Sequence, residues 1–252
     1  MQRARDMVTL TDLQRAGRLS NGRYEQFICQ APVNLYKSPQ QESLVTQAAA
    51  GRHLRLVEAP TPELGAVEMC LCEDDYPGWV AIADLPHLQP VPEPYAPPQL
   101  SAAEIEQKLP GVITFALDAM AQPNEYLWGG TVGPNYDCSG LMQAAFASVG
   151  IRLPRDAYQQ EAFAQPVALE ALRPGDLIFF GSAERTTHVA LYLGEGRYIH
   201  SSGKDQGRNG IGLDSLSEPE DPIGLAYYNQ VKGFGRVVSS YQPQGRPQYR
   251  QG

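Results

Sequence analysis

The segment WGGTVGPNYDCSGLMQAAF sets Cys138 between Asp137 and Ser139 at the head of an apolar-periodic run, and two of the chain's four histidines, His188 and His200, follow in THVALYLG and RYIHSSG. A thiol and an imidazole are the parts of a nucleophilic site: the imidazole takes the thiol proton, the thiolate attacks, and a second polar group orients the base. A cysteine in the first turn of a helix meets backbone N–H groups that lack helical partners and the positive end of the helix dipole, which predicts a thiol pKa below the usual ~8.5. An isolated cysteine at a helix start is more often a small buried side chain. The order Cys, His, His is what favours chemistry here.

The two histidines must then share a face. Their segments are joined by Gly194, Glu195 and Gly196, a hairpin signal. With all three residues in the loop, His200 lies opposite Ala190 and on the face of His188, and the imidazoles are diagonal neighbours roughly 7–8 Å apart at the backbone. A two-residue loop puts them on opposite faces and breaks the arrangement.

The run from Cys138 carries Leu141, Ala145 and Val149 on one helical face, with Gly150 as the C-terminal cap. Upstream, Ser101 followed by Glu104 predicts a capping box, Pro110 a bend or restart, and residues 115–120 a second helix. RPGDLIFFG, HVALYLG and RYIHSSG read as three successive strands, so helices precede an antiparallel sheet in an α+β domain over residues 101–238. Six prolines in PHLQPVPEPYAPP mark residues 89–100 as a linker in extended geometry. Before it, RHLRLVE and GWVAIADL alternate or run apolar at strand length between turns such as PTPELG and DDYPG, which predicts a small β-barrel or sandwich over residues 21–88. Residues 1–20 read as an extension with a short helix at 9–16, and residues 239–252, poor in apolar side chains, as a mobile tail.

Bulk properties narrow the function classes. The chain has 252 residues, enough for one or two domains, with 42% apolar and 19% charged residues. A net charge of −8 and no basic cluster oppose nucleic-acid binding. No run reaches the ~20 apolar residues of a membrane span, and the early arginines are followed by Asp6 and Thr9 rather than the apolar core of a signal peptide. A cytoplasmic location with reduced thiols is therefore expected. The Cys70-Leu71-Cys72 spacing differs from a zinc-ligand pair, so Cys29, Cys70 and Cys72 are read as buried thiols and no metal or cofactor is expected. Oligomeric state is not legible.

YLWGG, DCSGLMQAAF, LPRDAYQQ, RPGDLIFF, HVALYLG and YIHSSG, in this order over residues 100–238, resemble the NlpC-type cell-wall cysteine peptidases, which have a papain-like α+β fold. ESLVTQAAAGRHLRL and CEDDYPGWVAIADL resemble the bacterial SH3-like barrel that precedes this domain in the γ-D-glutamyl-L-diamino acid endopeptidases. The resemblance implies Cys138 as nucleophile, His188 as base and His200 as the orienting group. It implies Tyr126 as an oxyanion donor beside the Cys138 N–H, and Tyr76, Asp137 and Ser139 as the holders of a substrate's free amino end, with Glu42 as a further acid from the barrel. Packing for Tyr126, helix capping for Asp137 and a solvated surface role for Glu42 stay open. The substrate implied is a murein-derived peptide, L-Ala-γ-D-Glu-diaminopimelate, cleaved through a Cys138 thioacyl intermediate. An amidase or transpeptidase on the same fold and a noncatalytic wall-binding module are the alternatives.

Overall fold

The computed structural model describes residues 8–16, 26–217 and 222–249, and the chain divides into two compact units, residues 1–97 with 242–252 and residues 98–241. In the first, a short helix α1 (Leu10–Ala16) precedes β1 (Gln26–Cys29), β2 (Val33–Tyr36), β3 (Leu44–Ala48), β4 (His53–Leu56), β5 (Ala66–Leu71), β6 (Pro77–Ala81) and β7 (Leu88–Pro90). The strands pair antiparallel in the order β3-β2-β6-β5-β4-β1-β7. Alternation along them turns Phe27, Val33, Leu35, Leu54 and Val80 into one buried cluster that also takes Leu13 of α1, so the sheet wraps a single core as a small barrel. Residues 1–7 and 17–25, part of the expected extension and of the expected start of the barrel, lie outside the described residues.

Two boundaries differ from expectation. The segment read as a linker from residue 89 begins as strand: Pro90 pairs with Phe27, Val91 N–H donates to the Gln26 carbonyl at 3.0 Å, and Tyr95 N–H to Gln26 Oε1 at 2.6 Å. Proline is tolerated there because β7 is an edge strand and owes no ladder donor on its outer side. The tail, expected to be mobile, groups with the barrel. Asp75, fully buried and left-handed at φ 60° in the β5–β6 turn, takes Arg55 Nη2 at 2.7 Å and the Gln244 N–H on its carboxylate, and the Gln248 N–H on its carbonyl at 2.8 Å. Tyr249 adds a 3.1 Å hydrogen bond to Glu68. Two backbone N–H groups and a phenol do this work, and apolar content does not register them.

The second unit opens with α2 (Ala102–Ala121), whose Ser101–Glu104 capping box forms in both directions. Pro110 does not divide it. The missing N–H would have faced the carbonyl of Glu106 on the exposed side of the helix, where the loss is small, and Thr114 Oγ1 ties the turn by donating to the Pro110 carbonyl at 2.9 Å. The short pair β8 (Thr131–Val132) and β9 (Asn135–Tyr136) leads into α3 (Cys138–Ser148), which Gly150 follows at φ 84°. After α4 (Ala157–Phe163) come β10 (Gln165–Val167), β11 (Leu177–Gly181), β12 (Thr186–Gly194), β13 (Arg197–Ser202), β14 (Gly210–Ser215), α5 (Pro222–Tyr228) and β15 (Val231–Arg236).

The sheet runs β10-β15-β11-β12-β13-β14, all antiparallel. Sequence reading found its three central strands and missed β10, β14 and β15, whose glycines and polar residues hide the alternation. One face, with Leu177, Phe179, Val189, Leu191 and Ile199, packs on α2 and α3. The other, with Ile178, Phe180, Ala190 and Tyr198, packs on Tyr227 of α5. This is an α+β unit with a core on both sides of the sheet. No helix among the described residues is long and apolar enough to cross a membrane.

Candidate active site

Asp137 caps α3 and is the hub of its N-terminus. One carboxylate oxygen accepts Gly140 N–H at 2.7 Å and Arg155 Nη1 at 3.1 Å; the other accepts Gly129 N–H at 2.9 Å and Arg155 Nη2 at 2.6 Å. Ser139 Oγ donates to the same carboxylate at 3.3 Å and accepts from Arg155 Nη1 at 2.9 Å. Five donors thus converge on a group with about four lone-pair sites. Arg155, 1% exposed, neutralises the buried charge. The helix start is pressed so closely on the preceding loop that a Cβ at Gly140 would stand 1.9 Å from the Gly130 carbonyl oxygen, and only glycine fits.

Cys138 follows directly and is 7% exposed. The ladder between β12 and β13 is formed from Leu191↔Ile199 to the turn, and the strands part beyond it. There Val189 N–H is given to the Cys138 sulfur, with Ser139 N–H as a second donor. Ser201 Oγ, from the diverging β13, donates to the Tyr136 carbonyl at 2.7 Å. The nucleophile-bearing turn is therefore wedged where the two histidine strands separate. Burial, followed by Asp137, pushes the thiol up to about 12; the two N–H groups and Arg155 pull the other way and do not prevail. This reverses the expectation of a lowered pKa: removal from water outweighs the helix end.

The loop between the histidine strands has two residues, Glu195 and Gly196, both at positive φ (52° and 75°). Taken alone, that loop would turn His200 to the wrong face. A bulge restores the register: Gly194 pairs with Arg197 but Tyr192 with Tyr198, leaving Leu193 as the extra residue, so Leu191 meets Ile199 as a three-residue loop would have it. His188 Nε2 lies 2.7 Å from His200 Nδ1, and His200 Nε2 lies 2.7 Å from Asp214 Oδ2. Burial raises Asp214, but His200 and Arg208 together outweigh it and hold the carboxylate below its usual range, so it is ionised and can only accept. His200 must then carry its proton on Nε2, His188 must donate from its own Nε2 to His200 Nδ1, and the lone pair of His188 is left on Nδ1. Burial, and after it His200, holds His188 well below the imidazole range, so at rest it is a neutral base. Phe180 and Tyr227 enclose its ring at 5.5 and 4.5 Å between centroids.

Residues 123–220 match the model of the NlpC/P60 family, and residues 35–85 that of the bacterial dipeptidyl-peptidase Sh3 domain. The second unit carries an NlpC/P60 domain. The chain is 43% identical to a gamma-D-glutamyl-L-lysine dipeptidyl-peptidase of Bacillus subtilis over 30% of its own length and 27% of that protein's. It is 41% identical to a probable endopeptidase of Mycobacterium tuberculosis, over 36% and 23%, and 34% identical to the probable endopeptidase p60 of Listeria monocytogenes, over 44% and 21%. The chain spans about a quarter of the length of these relatives. NlpC/P60 proteins are cell-wall peptidases, and the SH3-like first unit and α+β second unit agree with both domain matches.

Within the NlpC/P60 domain, Tyr126 joins the Cys138 neighbourhood. Its phenol is pushed upward by burial and then by Cys138 and Asp137, so it stays protonated and can donate. Ser139 is bound to Asp137 and Arg155 as described. Tyr76 and Glu42 belong to the first unit, Tyr76 buried in the turn after β5 and Glu42 exposed between β2 and β3. Cys29, Cys70 and Cys72 are free and buried, their thiols pushed up by burial, and no group of three His, Cys, Asp or Glu side chains among the described residues is placed to hold a metal. Asp214, Tyr227, Arg155 and Arg208 of the site escaped sequence reading. Asp214 and Tyr227 lie in segments without alternation or motif, and an acid two places along the strand beside His200 becomes informative only once β14 is paired.

Proposed function

We propose that this chain is a cysteine endopeptidase that hydrolyses the γ-D-glutamyl–diaminopimelate bond of murein peptides with a free N-terminal L-Ala. The observation that carries the chemistry is the hydrogen-bonded line Asp214–His200–His188, which leaves the Nδ1 lone pair of His188 as the base for Cys138. His188 takes the thiol proton as sulfur bonds to the γ-carbonyl carbon of D-Glu, and the Cys138 N–H and Tyr126 hydroxyl donate to the developing oxyanion. Collapse breaks the C–N bond, His188 returning the proton to the diaminopimelate amine. Water, deprotonated by His188, then opens the thioester and frees the D-Glu carboxylate and the thiol.

The substrate class is supported by the named activity of the Bacillus subtilis relative and by the dipeptidyl-peptidase Sh3 match, because a dipeptidyl-peptidase counts from a free amino end. The amine's partner in this reading is not the Asp137 charge alone, which Arg155 already neutralises. A cytoplasmic place, acting on imported wall fragments, fits four unpaired cysteines; fractionation tests it.

The deciding experiment digests L-Ala-γ-D-Glu-diaminopimelate and its N-acetyl form and identifies products by mass spectrometry. L-Ala-γ-D-Glu and free diaminopimelate are expected from the first, with at least about 100-fold slower cleavage of the second. Equal kcat/KM for the two, or transfer products in place of hydrolysis, would refute the reading.

A further inference from the structure

Beside the histidine pair stands a charge pair that the mechanism above uses only at its near end. In the β13–β14 ladder His200 lies opposite Gly212 and Tyr198 opposite Asp214, so Asp214 is the diagonal neighbour of His200. Its side chain is 1% exposed; Oδ2 accepts from His200 and Oδ1 accepts Arg208 Nη2 at 2.8 Å. The guanidinium lies over Gly212, where a Cβ would come within 2.2 Å of Nη1, and Nη1 stands 3.4 Å from His200 Nε2. A glycine opposite the second histidine thus keeps open the slot that admits Arg208, whose side chain is 20% exposed.

We propose that Asp214 and Arg208 are opposed positioning residues of the base. Asp214 fixes the tautomer of His200 and through it that of His188, and favours proton uptake by the pair; Arg208 holds Asp214 in place and restrains that uptake. The inference rests on the reading of Cys138 and His188 as nucleophile and base.

The charges are arranged for it. Facing the imidazoles are Tyr198 on β13, Tyr227 on α5, Asp214 on β14 and Arg208 just before it, while Cys138 at the start of α3 acts on Tyr227. Burial pushes the Tyr227 phenol up to about 12 and keeps it neutral. Asp205 acts on Tyr227, and the Asp137–Arg155 pair acts on Cys138. Formal charge in direct contact with His200 therefore comes from Asp214 and Arg208. When His188 takes the thiol proton, its Nε2–H faces His200 Nδ1, and the cation can be shared along the pair towards the Asp214 carboxylate. Proximity of the guanidinium makes the same cation less favourable, in line with the opposite directions in which the two residues move His200.

The test compares wild type, Asp214→Asn, Arg208→Gln and Arg208→Lys by two readouts across pH: the rate of iodoacetamide alkylation of Cys138, followed on its own peptide, and kcat/KM on the tripeptide. Arg208→Gln should move the acidic limb of both profiles upward and Asp214→Asn should move it downward, each by about one pH unit. Arg208→Lys should restore the wild-type profile. Asp214→Asn should also lower kcat by about 10- to 100-fold with KM little changed. Limbs that stay in place in Arg208→Gln, or move the same way in both variants, overturn the proposal. If Asp214→Asn does not fold, the Arg208 variants decide alone. The alkylation readout needs no substrate, so opposed shifts in a protein that cleaves no murein peptide would sink the proposed function and leave the positioning roles standing.

Discussion

Cys138 at rest is a neutral thiol and His188 a neutral imidazole, each held so by burial. On the proposed mechanism the ion pair forms only as substrate is attacked, and the pH dependence follows. Protonation of His188 removes the base, and because its pKa is depressed this happens below the ordinary imidazole value of ~6.5. The thiol, at about 12, does not ionise by itself in the neutral range. Profiles of kcat/KM should therefore stay flat through neutrality with an acidic limb below ~6.5; Tyr227→Ala, by admitting water to His188, should move that limb upward. A wild-type limb above that value would contradict the assignment. Cys138→Ala should remove hydrolysis with an unchanged circular dichroism spectrum. His188→Ala should cost about 10³-fold or more in kcat and His200→Ala about 10- to 100-fold, since orienting a base is the lesser task.

At the scale of elements, two local devices place these side chains. The first is the start of α3, where Asp137 joins a cap, a loop and a buried guanidinium. Asp137→Asn leaves Arg155 facing a neutral amide, so it should lower the unfolding free energy of the second unit by about 3–5 kcal/mol, read from denaturant curves. It is consequently a probe of folding before it is one of specificity. The second device is the β12–β13 turn. Glu195 occupies a left-handed position ahead of Gly196, the place where Asn-Gly is the favoured pair. Glu195→Asn should stabilise by about 0.5–1 kcal/mol with full activity, seen as a rise in Tm. A fall in activity would mean that the bulge at Leu193, and with it the histidine register, depends on the glutamate.

At the scale of the whole molecule, the chain leaves the barrel at residue 97, builds the NlpC/P60 domain and returns its last residues to the barrel. Asp75 is buried in that unit and relies on the Gln244 N–H. Deleting residues 242–252 should destabilise the barrel by about 1–3 kcal/mol, visible as faster hydrogen exchange in β5 and β6 while β11–β13 are unchanged. Unaltered exchange in β5 and β6 would show that the tail contributes nothing to the barrel.

What the sequence determined by itself is what local chemistry encodes. The Ser101 box, the helix after Asp137, the three central strands and the proline-rich boundary each follow from a few neighbouring residues, and ordered motifs carried Cys138, His188 and His200. What needed tertiary structure is whatever depends on a partner far along the chain. The turn alone predicts the wrong face for His200, and only the bulge, set by the pairing of β12 with β13, turns it back. Asp137 reads as a ligand for an amine until Arg155, 18 residues on, is folded against it. The thiol pKa follows from burial beneath diverging strands, which outweighs the helix end the sequence shows. Asp214 and Arg208 gain meaning only when β14 pairs with β13. Short-range geometry is written in residue types, whereas desolvation and charge compensation depend on what the completed fold brings within a few ångströms.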